Sequence, residues 1–126
     1  MSMNVNEINV LVLAYLGDSV YENYIRKFLI NTGIANVNNL QTESIKYVSA
    51  KAQAKFVTEL IDNKILLEEE LDVYKRARNY KTTSHPKNTD IITYKIATGF
   101  EAIIGYLELS NKIDRIELII KNIVGE

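Results

Sequence analysis

Apolar residues recur at intervals of three and four along most of the chain, which is the spacing of an amphipathic α-helix. The first such stretch covers residues 7–30 and predicts one long helix in which Gly17 is a candidate for a kink. Its predicted core stripe consists of Leu13, Leu16, Val20, Tyr24 and Phe28. The stop residues Asn31, Thr32 and Gly33 predict the end of this helix.

The same spacing continues to the end of the chain. Capping side chains at residues 36–39 predict a helix from about Leu40, a third helix is predicted over 43–63, and a short one over 68–78. The clearest break is a loop over residues 82–86, which ends in Pro86. Asn88, Thr89 or Asp90 can cap the next helix, which runs to about residue 109, and a last helix covers 112–124. The core side of the helix after the loop is predicted to carry Ile92, Ile96, Phe100, Ile103 and Leu107. No alternating strand pattern competes, so the fold class is predicted to be all-α with six or seven helices.

Composition narrows the setting in which this chain works. Its 126 residues suit a single domain over 1–126. No apolar run approaches the roughly 20 residues that span a bilayer, and no amino-terminal signal pattern is present, so we expect a cytoplasmic protein with no membrane partner. The chain has no cysteine and a single histidine, His85. Any metal must therefore be held by oxygen ligands.

The net charge of −1 hides an uneven distribution of charge along the chain. An acidic stretch at residues 68–72 comes directly before the densest basic segment. That segment contains Lys75, Arg76, Arg78, Lys81 and Lys87. Lys46, Lys51 and Lys55 lie off the apolar stripe of the third predicted helix and should face solvent. One local surface is thus able to attract polyanions although the whole molecule is not basic.

Two helical acids surrounded by small residues are the strongest candidates for chemistry. Ala14, Asp18 and Glu22 share one helix face, and Ala97, Thr98, Glu101 and Gly105 share a face of the later helix. A glycine inside a helix costs about 1 kcal/mol relative to alanine. Gly17, Gly99 and Gly105 are explained if helix backbones approach closely there, which would bring Asp18 towards Glu101. Paired buried carboxylates repel unless a proton or a cation lies between them, and Mg²⁺ is the expected cation.

Each acid also has an ordinary structural interpretation. A lone carboxylate such as Asp18 is more often a solvated helix residue than a catalytic group. Glu22 can simply pair with Arg26 one turn later. The spacing of these residues by itself does not choose between the two interpretations.

Longer motifs add a family resemblance. Leu16-Gly17-Asp18-Ser19-Val20 resembles the signature helix of the ribonuclease III endonuclease domain, and Phe100-Glu101-Ala102 with Gly105 resembles its second acidic helix. The segments 13–22, 75–79, 86–90 and 97–107 together closely resemble the Mini-III ribonucleases. This branch comprises compact bacterial enzymes that have the catalytic domain without a double-stranded RNA-binding domain. The resemblance covers nearly the whole chain, in the right order.

The resemblance implies a compact all-α endonuclease domain that acts as a homodimer. It also implies Mg²⁺-dependent cleavage of double-stranded RNA, with Mn²⁺ as a possible substitute, and a role in maturing precursor ribosomal RNA of the large subunit. A ribosomal protein is a candidate helper in presenting that substrate. The implied reaction is phosphodiester hydrolysis by a water that the metal ion activates.

Within this resemblance, Asp18 and Glu101 match the catalytic, metal-binding acids. The larger ribonuclease III enzymes have a glutamate where this chain has Ala14 and an aspartate where it has Thr98. The Mini-III branch shares this departure. With two of the four acids absent, the number of metal ions stays open at one or two. Glu22 and the Thr98 hydroxyl are candidates for supporting positions beside the metal ligands.

An A-form duplex is recognised mainly by its shape and its phosphates. The predicted RNA contacts are Lys75, Arg76, Arg78, Lys81, His85 and Lys87. The alternative for Lys75 and Arg76 is that they only offset the acidic stretch before them. Three hypotheses remain at this point: an active endonuclease, a catalytically silent dimer that binds structured RNA, and a helical dimer with an unrelated interaction role.

Overall fold

The computed structural model describes residues 4–81 and 85–126, so Thr82, Thr83 and Ser84 of the predicted loop lie outside it. A short 3-10 helix, Val5–Glu7, precedes six α-helices. These are α1 (Val10–Asn31), α2 (Val37–Val48), α3 (Ala50–Asp62), α4 (Glu68–Arg78), α5 (Ile91–Leu109) and α6 (Ile113–Val124). No strand forms within the described residues, which confirms the all-α prediction. None of the helices in this part of the chain has the length and apolarity needed to cross a membrane.

Capping side chains set most of the helix ends. Asn36 accepts from the main-chain N–H groups of Asn38 and Asn39 and starts α2 at Val37, three residues earlier than predicted. Asp90 starts α5 by accepting from the Thr93 N–H at 2.8 Å. Gly33 follows the end of α1 with a φ of 99°, a left-handed conformation that glycine adopts at little cost.

The single helix predicted over residues 43–63 is wrong, because the chain breaks at Ser49. Ser49 is extended, with φ −64° and ψ 154°, and its hydroxyl accepts from the main-chain N–H of Ala52 at 3.1 Å. A serine in this position ends α2 and caps α3. The hydrophobic spacing continues across the break, and therefore does not reveal it.

Helix α5 is the centre of the fold. It packs against α1, α3, α4 and α6, and its largest contact is with α1. Every residue from Ala97 to Leu107 is buried except Glu101, which is partly buried. A carboxylate is therefore placed in the middle of the most enclosed helix of the protein.

The core stripe predicted for α1 is rotated from the real one. The buried residues are Val10, Leu13, Ala14, Gly17, Tyr21, Ile25 and Leu29. Of the predicted stripe, Leu13 is buried, whereas Leu16, Val20, Tyr24 and Phe28 are only partly buried. Likewise Ile92, predicted on the core side of α5, is 68% exposed. The prediction chose a stripe of large apolar side chains, whereas the buried face includes the small residues Ala14 and Gly17 together with large ones such as Tyr21.

Two glycines allow this contact. A Cβ atom added to Gly17 would overlap the main-chain carbonyl of Glu101, and one added to Gly105 would overlap the main-chain carbonyl of Leu13. The backbones of α1 and α5 thus touch directly, and the predicted close approach is confirmed at these two positions. Helix α1 remains continuous through Gly17.

A buried ion pair fixes α4 relative to α6. The Glu70 side chain is fully buried, and Arg115 donates to both of its oxygens at 2.8 and 2.7 Å. Glu70 also accepts from the Leu67 N–H at 2.9 Å, and Arg115 donates to the carbonyl of Ile65 at 3.0 Å. Satisfied charges of this kind favour one arrangement of the helices, because separating them would leave a buried charge without a partner.

We expect Gly17→Ala to destabilise the protein by about 3 kcal/mol, because the new methyl group must push two helix backbones apart. Gly33→Ala is the matched control, since a Cβ there meets no atom within 4 Å and the cost is only the left-handed backbone, about 1 kcal/mol. Urea unfolding followed by circular dichroism measures both. Equal midpoints for Gly17→Ala and the wild type would contradict the close packing.

Candidate metal centre and nucleic-acid interface

The carboxyl groups of Asp18 and Glu101 lie close enough for the charge of Asp18 to raise the pKa of Glu101. Asp18 comes from the exposed side of α1, directly after Gly17, and Glu101 comes from the middle of α5. Because the Gly17 backbone rests on the Glu101 carbonyl, the main chains that carry the two acids are held close together. The predicted pairing of these two acids is therefore present in the fold.

The environment of Glu101 disfavours its charge. Burial is the main cause, followed by the nearby charge of Asp18 and a hydrogen bond to it, and together these raise the pKa of Glu101 to about 8. Glu22 raises this pKa further, whereas a hydrogen bond from Gln53 lowers it. Near neutral pH the site must hold a positive charge in the form of a proton or a cation.

Gln53 is the site residue that the sequence analysis missed. Its side chain is 2% exposed, and its amide nitrogen lies 3.4 Å from Oε2 of Glu101. It occupies the core face of α3, four residues before Val57 and seven before Leu60, both of which are buried. A polar residue at the core spacing of an amphipathic helix was the signal that could have identified it.

The supporting candidates are placed differently from each other. Glu22 is close enough to affect Glu101, and it also pairs with Arg26 at 3.9 Å, as its structural interpretation required. Thr98 is buried, and its hydroxyl donates to the main-chain carbonyl of Tyr94 at 2.9 Å. The hydroxyl proton of Thr98 is therefore used in a hydrogen bond within α5. A role for either residue beside the metal stays a prediction.

Gly99 lies against α4, whereas Gly17 and Gly105 lie in the contact between α1 and α5. A Cβ atom on Gly99 would lie 2.6 Å from the Tyr74 ring and 3.1 Å from the Tyr74 carbonyl oxygen, so the close approach predicted there is to the side chain and the backbone of α4. The guanidinium carbon of Arg78 lies 5.9 Å from the centre of the same ring. The packing of α4 on α5 thus orients one of the predicted RNA contacts.

The basic segment is exposed on and after α4. All six predicted RNA contacts, Lys75, Arg76, Arg78, Lys81, His85 and Lys87, are exposed. Arg76 pairs with Asp72 at 3.1 Å, which agrees with the alternative that it offsets the acidic stretch. Nδ1 of His85 lies 2.8 Å from the carbonyl oxygen of Thr89, so this nitrogen can hold the loop together by donating to it. The RNA-binding role of these residues stays a prediction.

A hydrated divalent cation fits the acid pair. In residues 4–81 and 85–126 there is no group of three or more histidine, cysteine or acidic residues able to hold a metal. Mg²⁺ retains several waters and often uses only one or two carboxylates, so two acids are a sufficient protein contribution. The amide oxygen of Gln53 is a buried polar atom that has no partner among the described residues.

Comparison with known proteins identifies relatives of this chain. Residues 11–112 match the family model described as the ribonuclease III domain. The chain is 43% identical to the Mini-ribonuclease 3 of Streptococcus pneumoniae, over 94% of this chain and 92% of that protein. It is 50% identical to the Mini-ribonuclease 3 of Brevibacillus brevis, over 92% of this chain and 85% of that protein.

A solved structure extends the similarity to three dimensions. The crystal structure of a protein from Fusobacterium nucleatum superposes with a TM-score of 0.87 at 33% sequence identity. The alignment covers 99% of this chain and all of that one. The whole helical arrangement that brings Asp18 and Glu101 together is therefore similar in a solved structure.

In chelator, the free energy of unfolding should fall as the pH rises from 4.5 towards about 8. The folded protein keeps a proton on Glu101 up to a pH of about 8, whereas the unfolded chain releases it near the ordinary value of 4.5. This stabilisation is complete below pH 4.5 and is lost as the pH passes through about 8. Urea unfolding at several pH values measures it. Glu101→Gln should reduce the dependence of the free energy of unfolding on pH, and Glu59→Gln, at an exposed site, should leave it unchanged. The same pH dependence in the wild type and both variants would contradict the raised pKa of Glu101.

Proposed function

This chain belongs to the ribonuclease III family of endoribonucleases, and from that premise we propose that Asp18 and Glu101 hold the Mg²⁺ ion with which it cleaves double-stranded RNA. The observation that carries the proposal is the direct contact of α1 and α5, which supports both acids from rigid helices. Mn²⁺ has the same preference for carboxylate oxygen and is the alternative ion. One ion per site fits two carboxylates, and a second would depend on oxygen atoms supplied by the RNA.

When bound, the ion would activate a water for in-line attack on phosphorus and stabilise charge on the phosphate oxygens. The protein's own contribution is the position and charge of the two acids. Asp18 is exposed and Glu101 is partly buried, so the pair is open to substrate on one side and shielded on the other. Glu22 adds negative charge from the next turn of α1, which would favour a cation further.

Duplex RNA is the substrate that best suits the basic segment. Its phosphate rows are recognised by cations spaced along a surface, without any reading of base edges. Arg78, held over the Tyr74 ring, and its exposed neighbours Lys75, Lys81 and Lys87 offer such cations. The same helix that carries Arg78 packs on the helix that carries Glu101, which fixes the position of Arg78 relative to Glu101.

A homodimer is part of this proposal. Leu11, Val12 and Tyr15 form an exposed apolar face at the start of α1, and Tyr15 is 83% exposed. This face lies on the same helix as Asp18, one turn before it. A two-fold interface here would bring two acid pairs to one duplex and would double the basic surface.

The natural substrate that we propose is precursor ribosomal RNA of the large subunit, processed in the cytoplasm. The Mini-ribonuclease 3 relatives support this only through their shared name and similarity. A ribosomal protein that shapes the precursor is a candidate partner. Cleavage of purified precursor RNA, alone and with ribosomal protein bound, tests both points.

Asp18→Asn should lower the rate of duplex cleavage by roughly 10³-fold, because a lost metal ligand removes several kcal/mol of transition-state stabilisation. Binding of the duplex should change little. Product sizing and filter binding with long double-stranded RNA, in Mg²⁺ and in chelator, measure the two effects. Asp62→Asn, an exposed acid on α3, is the control. Wild-type protein that binds duplex RNA in Mg²⁺ and never cuts it would instead favour a silent RNA-binding dimer.

Replacing both Arg76 and Arg78 by alanine should weaken duplex binding and reduce its dependence on salt. Each lost phosphate contact lowers the slope of log K against log salt by about 1. The measurement is made in the Asp18→Asn background so that the RNA stays intact. Lys121→Ala, an exposed lysine on α6, is the control. An unchanged slope of log K against log salt in the double variant would mean that the RNA does not contact Arg76 or Arg78.

Tyr15→Asp should weaken the dimer by about 30-fold or more, since losing a tyrosine anchor commonly costs about 2 kcal/mol. Sedimentation velocity across a range of concentrations measures the shift. Ile45→Asp is the control, because Ile45 is 61% exposed and belongs to a different helix, α2. A wild-type dimer that tolerates Tyr15→Asp would exclude this part of α1 from the interface.

A further inference from the structure

A buried glutamine contacts the acid pair from a third helix. The Gln53 amide nitrogen donates to the main-chain carbonyl of Val48 at 3.0 Å and lies 3.4 Å from Oε2 of Glu101. Val48 is the last residue of α2, just before the break at Ser49. The amide is therefore attached to the rigid junction of α2 and α3 on one side and contacts Glu101 on the other.

The orientation of this amide is determined by its neighbours. The main-chain carbonyl of Val48 can only accept a hydrogen bond, and it lies 3.0 Å from the amide nitrogen, so the nitrogen of Gln53 must face it. The amide oxygen is buried without a partner among the described residues. An unpaired buried polar atom costs about 1–3 kcal/mol, and leucine would fill this core position without that cost. The glutamine therefore calls for a functional explanation.

We propose that Gln53 is a positioning residue, which holds Glu101 in the orientation needed to take a divalent cation together with Asp18. The inference rests on the proposed function of the acid pair. By donating to Oε2, the amide restricts rotation of the Glu101 carboxyl group.

The test is the affinity of the intact protein for Mn²⁺, measured without RNA by the relaxation of water protons. Gln53→Leu and Gln53→Met keep the volume of the side chain and remove its donor. Loss of an outer partner of a metal ligand commonly lowers metal affinity by about 10-fold or more, which is the result expected for both variants. The Mg²⁺ concentration for half-maximal cleavage should rise by a similar factor. Gln41→Leu, at an exposed glutamine on α2, is the matched control.

Two further measurements separate positioning from a merely structural role. Thermal unfolding and duplex binding in chelator should stay close to wild type in at least one of the two Gln53 variants. If Mn²⁺ affinity falls only in proportion to the fraction of unfolded protein, the inference is overturned. The positioning role is also overturned if both variants bind Mn²⁺ as tightly as a wild-type protein that binds the ion and cleaves RNA. That outcome leaves the proposed function standing. Wild-type protein that neither binds Mn²⁺ nor cleaves RNA rejects the proposed function, and this inference with it.

Discussion

The direct contact between the backbones of α1 and α5 is the constraint on which the rest of the structure depends. Gly17 and Gly105 each occupy a position where any side chain would overlap the other helix. The contact places Asp18 beside Glu101, where two charged carboxylates repel each other. The packing of two helices thus creates an electrostatic problem, which a proton or a cation resolves.

The surrounding helices keep this contact in place and connect it to the surface. Tyr21 of α1 packs edge-on against Phe100 of α5, with ring centres 4.9 Å apart, and its hydroxyl donates to the carbonyl of Tyr47 at 2.8 Å. On the other side of α5, the ring of Tyr74 sits against Gly99 and beneath Arg78. Glu101 and the basic segment are therefore both positioned by one central helix.

The small number of charges at the site has a consequence for how it would work. Ala14 and Thr98 occupy positions where the larger enzymes that the chain resembles have acids, and the Thr98 hydroxyl donates to its own helix. Two carboxylates repel each other less than four, so the metal-free fold tolerates them at the centre of the molecule. They also bind a cation less tightly, which makes oxygen atoms of the RNA a larger part of the expected ligand set.

The sequence by itself determined the helical class and most helix ends, and it predicted that Asp18 and Glu101 would lie together. Helical spacing and caps such as Asp90 are local properties, and Leu16-Gly17-Asp18-Ser19-Val20 is specific enough to suggest the family. Only the tertiary structure decided which face of α1 is buried, because that face must fit the shape of α5, which places Ala14 and Gly17 there instead of Leu16 and Val20. The contact of Gln53 with Glu101 likewise joins residues 48 positions apart, and such a contact depends on how α3 and α5 pack and not on any local pattern.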